Sequence, residues 1–133
     1  MYEPIRTKSV HTAAAPTLPR RSRDEELDLQ LAGHLAALLT VTDELRALEP
    51  SGELDQAAEQ LAETVAGLHR GRPPLRLSPA PAGRRRAEPA RVTALHRRAR
   101  ALAGRALVVA EARQNAEAVA LAERLIAVHT AAA

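Results

Sequence analysis

This 133-residue chain has no cysteine, no tryptophan and no phenylalanine, and its single tyrosine is Tyr2. Without thiols there is no disulfide framework, no thiolate metal ligand and no thiol nucleophile. Without large aromatics the core must be Leu, Val and Ala, and no aromatic side chains stand between basic residues to stack nucleic-acid bases. Lysine is nearly missing as well: Lys8 stands against eighteen arginines. Long apolar runs are absent, none approaching the ~18 residues that would suggest a membrane span. The basic start is punctuated by Pro4, Pro16 and Pro19 instead of an apolar stretch, which points away from a secretory leader and toward a cytoplasmic location. Ser9, Ser22, Ser51 and Ser78 lack any Gly-x-Ser-x-Gly setting, and no glycine-rich phosphate loop occurs.

What the chain does have is charge sorted along its length. Residues 24–70 carry eleven carboxylates against Arg46 and Arg70, a formal −9. Residues 71–133 carry twelve arginines against Glu88, Glu111, Glu117 and Glu123, a formal +8, and the first 23 residues add +4. Blocks of opposite sign attract one another or attract separate partners.

The apolar pattern is helical. Ser22 sits three positions before Glu25, a capping box, and opens a helix predicted over 23–48. One stripe runs Leu27, Leu31, Leu35, Leu38, Val41, Leu45, Leu48 and a second runs Leu29, Ala32, Ala36, Leu39, so this helix is expected to have neighbours on two sides. Pro50 interrupts, Ser51 can cap a second helix over 52–70, and Leu54, Ala58, Leu61, Val65 and Leu68 form its seam. So short a connection makes the pair an antiparallel hairpin. Residues 71–89, with five prolines and two glycines, read as a flexible basic linker. Pro89 suits a first helical turn, after which Val92, Leu95, Ala99, Leu102, Ala106 and Val109 continue the three-four spacing. The stripe then shifts to Ala118, Leu121, Leu125 and Val128, which places a break near Gln114 and Asn115, with an unbroken helix over 90–130 as the competing reading. The expected fold is all-α: an acidic helical hairpin (23–70) joined by a Pro-rich linker (71–89) to a C-terminal helix or helix pair (90–130). These form a three- to four-helix bundle behind a disordered or extended arm (1–22).

Two candidate surfaces follow. Arg84, Arg85, Arg86, Arg91, Arg97, Arg98, Arg100 and Arg105 are a basic set able to hold phosphates without reading bases. The competing reading is intramolecular: in an up-down-up bundle Arg91, Arg97 and Arg98 would face Asp24, Glu25 and Asp28. Tyr2, Ile5 and Val10 in the arm, with Leu29 and Leu39 on the first helix, are candidates for binding a partner. The acidic face of the second helix (Glu53, Asp55, Glu59, Glu63) suits a basic partner or simple solvation. His34, His69, His96 and His129 fall on separate segments with no i,i+4 pair, so neither a metal nor another cofactor is expected. An enzyme would need His34, Arg46, His96 and nearby carboxylates in one pocket, which their spacing does not favour.

The opening run through His11, residues 24–39 and residues 105–110 (Arg-Ala-Leu-Val-Val-Ala) resemble small uncharacterised helical proteins of Streptomyces-type actinomycetes. That resemblance spans most of the chain, implies no activity and carries no functional residue across. Residues 99–128 also faintly resemble a tetratricopeptide-type hairpin, without that repeat's aromatic and proline positions. The expected function is therefore a non-enzymatic protein-interaction or regulatory module that binds another protein or itself, a homodimer included, through Ala–Leu helical faces. The alternative is a nucleic-acid-associated protein using the arginines of 84–105.

Overall fold

A computed structural model describes residues 22–77 and 88–132. Four helices make up the described chain: α1 (Arg23–Leu48), α2 (Gly52–Leu68), α3 (Pro89–Arg113) and α4 (Ala116–Ala132). The all-α bundle expected from the apolar spacing is what forms, and no strand occurs among the described residues.

Local chemistry sets the helix ends. The Ser22 hydroxyl accepts from the Glu25 N–H at 3.1 Å and the Ser22 N–H donates to Glu25 Oε1 at 2.9 Å, completing the capping box. Ser51 caps α2 by accepting from Leu54 N–H, and Pro89 occupies the first turn of α3. The break falls at Gln114, whose left-handed backbone (φ 61°) ends α3, and the Asn115 side chain caps α4 by accepting from Ala118 N–H at 3.0 Å. Two helices, not one, therefore follow the linker.

Ion pairs between helix ends give the directions. Arg46 near the end of α1 meets Asp55 near the start of α2 at 2.8 Å, and Arg70 just past α2 lies 3.7 Å from Glu25 at the start of α1. The hairpin is thus antiparallel. Arg91 at the start of α3 reaches Glu44 near the end of α1 at 3.2 Å, while Arg113 at the other end of α3 reaches Asp28 at 3.0 Å and Asp24 at 3.7 Å. So α3 also runs against α1 and points the same way as α2, which corrects the expected up-down-up order.

The linker explains the reversal. Arg70 (φ 57°) and Gly71 (φ 91°) are both left-handed, and the Gly71 N–H returns to Ala66 O. A side chain at Gly71 would be strained in that conformation. The chain then runs back along α1 and is fastened at Asp43, to which Arg76 donates twice at 2.8 Å and the Leu77 N–H donates at 3.3 Å. Asp43 lies about 27 Å along α1 from Glu25, a span that six extended residues with long side chains at each end can cover. Residues 72–77 are accordingly a strap fastened to α1 at Asp43.

α1 packs against α2 and α3, α3 packs in turn against α1 and α4, and α4 only grazes α2. No close backbone approach joins α1 to α4, or α2 to α3, among the described residues, so each of these pairs is a diagonal of the bundle. The core is Leu31, Leu35, Leu38, Leu39, Leu45, Leu61, Val65 and Leu125, filled in by buried alanines such as Ala99, Ala103, Ala106 and Ala110. Among the described residues no helix is long and apolar enough to cross a membrane.

Candidate functional site

α3 buries Val92, His96, Ala99, Ala103, Ala106 and Ala110, which fall along one side at helical spacing. Its opposite side exposes Arg97, Arg98, Arg100 and Arg105, with Ala94, Ala101 and Val108 among them. Val108 is 66% exposed. None of these four arginines forms an ion pair among the described residues, whereas Arg91 and Arg113 are both engaged by α1. The expected pairing of Arg97 and Arg98 with Asp24, Glu25 and Asp28 is therefore overturned. Its cause is simple: α1 keeps its carboxylates at its ends, and residues 29–42 contain none. With α3 antiparallel, Arg91 and Arg113 meet the acidic ends while the arginines between them pass a neutral stretch.

Of the other candidates, Arg84, Arg85 and Arg86, and Tyr2, Ile5 and Val10 in the arm, lie outside the described residues. Leu29 is 42% exposed and borders a groove of about 260 Å³ with Glu25, Asp28, Leu68, His69, Arg70 and Arg72. Leu39 is fully buried and belongs to the core, so it is no partner-binding residue; the second stripe of α1 turns inward there because α1 is enclosed on two sides. On α2, Glu53, Glu59 and Glu63 are exposed and carry no ion pair among the described residues, while Asp55 is held by Arg46.

The buried polar groups were not all foreseen. His96 and His129, expected on unrelated segments, meet with Nδ1 atoms 2.9 Å apart. His129 is wholly buried, His96 nearly so, and their rings are tilted by 45°. One Nδ1 must donate and the other accept. His129 Nε2 has no partner among the described residues, and an unpaired acceptor costs less than an unpaired N–H, so the arrangement with His129 Nδ1–H donating to His96 is favoured. Burial, reinforced by His96, pulls the pKa of His129 down from 6.5 to about 4. His96 lines a cleft of about 320 Å³ with Glu49, Ser51, Glu53 and the end of α4. A pair of imidazoles sharing one proton can relay it, but no group of three or more metal-ligating side chains converges among the described residues. The signal for this pair was present in the spacing: His96 completes the series 92, 96, 99, 103 and His129 the series 118, 122, 125, 129, both buried seams.

Asp43, with its side chain 1% exposed, accepts from Arg46 and Arg76. Burial alone raises its pKa, but the two guanidiniums outweigh that and hold it below the usual carboxylate range. Asp43 and its neighbour Glu44 bond to different arginines, Asp43 to Arg46 and Arg76 and Glu44 to Arg91. His34, Arg46 and His96 likewise do not gather: Arg46 is occupied by Asp43 and Asp55, and His96 by His129.

No protein-family model matches this chain, and neither the curated proteins nor the solved structures contain a match to it.

Proposed function

We propose that this chain is a non-enzymatic interaction module that engages an acidic macromolecule through the outward side of α3. The observation supporting this reading is that Arg97, Arg98, Arg100 and Arg105 project from a helix anchored on its other side and form no ion pair among the described residues. Anchoring means that the helix need not be ordered at the moment of binding, so the arginines are presented at low entropic cost. Ala94, Ala101 and exposed Val108 lie among them and favour a protein surface, where an apolar centre within a charged rim is common.

Elution from immobilised heparin, a generic polyanion, tests the surface. Arg98→Glu/Arg105→Glu is compared with Arg72→Glu/Arg124→Glu, which changes net charge equally at two exposed arginines away from the ridge. The ridge variant is expected to elute at clearly lower salt than the control variant; equal elution would mean that only net charge matters and would end this reading. Nucleic-acid phosphates are the second reading, supported by the same unneutralised arginines. It predicts duplex binding whose log affinity falls with log salt, the slope shrinking by about 1 for each ridge arginine removed.

A further inference from the structure

The two unneutralised surfaces of this bundle sit on diagonal helices. α3 and α2 make no close backbone approach among the described residues, so the arginines on the outer side of one and Glu59 and Glu63 on the outer side of the other are held apart by the body of the protein. Neither patch can satisfy the other within one molecule, although they are opposite in sign and similar in length. At about 1.5 Å per residue the ridge from Arg97 to Arg105 spans about 12 Å, and the acidic face from Glu53 to Glu63 about 15 Å. Both are carried on helices whose other sides are packed in the core, so the spacing of each is kept from one copy to the next.

From this we infer that the acidic partner of α3 is a second copy of the same chain, whose α2 face receives the arginine ridge. This rests on the reading of α3 as the binding surface and adds the occupant. Glu59 and Glu63 stand one turn apart at the centre of the exposed side of α2, and Glu53 extends the face toward its N-terminus. Arg98 and Arg105 lie two turns apart on α3 and, with Arg97 and Arg100, bracket the exposed Ala101. Docking therefore pairs charges at several points and covers apolar surface that a run of phosphates would leave open. Each exposed pair contributes little alone, and only the set acting together gives affinity.

The placement also dictates the symmetry. A twofold dimer uses the same patch on both copies, and patches on opposite sides of one molecule cannot close in that way. Contact is instead head-to-tail: each copy that donates its α3 leaves its α2 free for another. Growth is open-ended, weakens with salt and does not stop at two.

Sedimentation of the full chain over about a hundredfold range of concentration tests this. At low salt the average mass is expected to climb to about twofold or more above the 14.2 kDa of one chain and to keep rising, and at high salt to return to one chain. Arg98→Glu/Arg105→Glu and Glu59→Arg/Glu63→Arg should each stay monomeric alone, because the first cancels the net charge of the ridge and the second reverses that of the acidic face. Mixed in equal amounts they should reassemble, since wild-type α2 of one meets wild-type α3 of the other. Should either reversal fail to fold by circular dichroism, the neutral changes to Gln at the same four positions take its place, with loss of assembly in each as the expected result. A wild-type chain that remains monomeric at low salt overturns the inference. So does assembly that the ridge and acidic-face variants leave intact, or a mixture that does not reassemble. A monomer that nevertheless binds duplex DNA, with that binding lost in Arg98→Glu/Arg105→Glu, would remove the second copy as partner while leaving the α3 surface standing; a monomer that also passes the heparin comparison unchanged would remove both.

Discussion

His129 shows how much a single position can carry. A neutral imidazole closes the end of the α3–α4 seam, hydrogen-bonded to His96 and sealed from water. Its pKa is about 4 in the fold against 6.5 ordinarily, so between those values the unfolded chain binds a proton that the folded chain refuses. Stability from this group is complete above about pH 6.5, falls as the pH drops, and is fully lost below about 4, by up to about 3 kcal/mol. Asp43, whose carboxyl its arginine partners hold below the usual carboxylate range, titrates below that window. Urea midpoints measured at pH 7 and pH 5 should therefore differ for the wild type and converge for His129→Leu. A wild-type midpoint that does not move would contradict the burial of a neutral imidazole. Both histidines sit at seam positions in the sequence, and that much could be read; their meeting across 33 residues could not, because it depends on how α3 and α4 are set side by side.

At the level of whole elements, the helix starts were legible because capping is local. Ser22 with Glu25, Ser51, Pro89 and Asn115 each act within about one turn of their own position. The segment between α2 and α3 was not legible in the same way. Its prolines and glycines suggest looseness, yet residues 72–77 are tied to α1 through Arg76 and Asp43, an interaction spanning 33 positions. Arg76→Ala removes both of its guanidinium bonds and leaves Asp43 with Arg46 and the long bond from the Leu77 N–H. We expect hydrogen exchange at residues 72–77 to speed up, most of all at the Leu77 N–H, while helix content by circular dichroism is unchanged. Unaltered exchange there would show that the strap is held by something other than Asp43.

For the molecule as a whole, an interior without aromatics is made by bringing helices close over alanine. Ala99, Ala103, Ala106 and Ala110 on α3 and Ala118 and Ala122 on α4 are fully buried, and density comes from short interhelical distance rather than large side chains. Enlarging such a position should be costly: Ala103→Leu is expected to lower stability by about 1–3 kcal/mol. Ala101→Leu, on the exposed side of the same helix, should change it by about 0.5 kcal/mol or less. Equal effects in urea melts would mean that the helices are not packed as closely as their alanines imply. The same arrangement sorts charge in space, with the acidic side of α2 and the basic side of α3 facing away from each other across a diagonal.

Periodicity and capping, which act over one or two turns, were enough to announce the helical stretches and the hairpin, but left a break near Gln114 and an unbroken helix over 90–130 as rival readings that the left-handed Gln114 decides. Direction and neighbourhood were not theirs to give. Whether α3 would run with α1 or against it depended on a turn at Arg70 and Gly71 and on one distant carboxylate that anchors the returning chain. From that choice follows which arginines are neutralised and which are left bare. Coulomb pairing depends on distance in three dimensions, and a list of charges in order contains no such distance until the helices have been laid side by side.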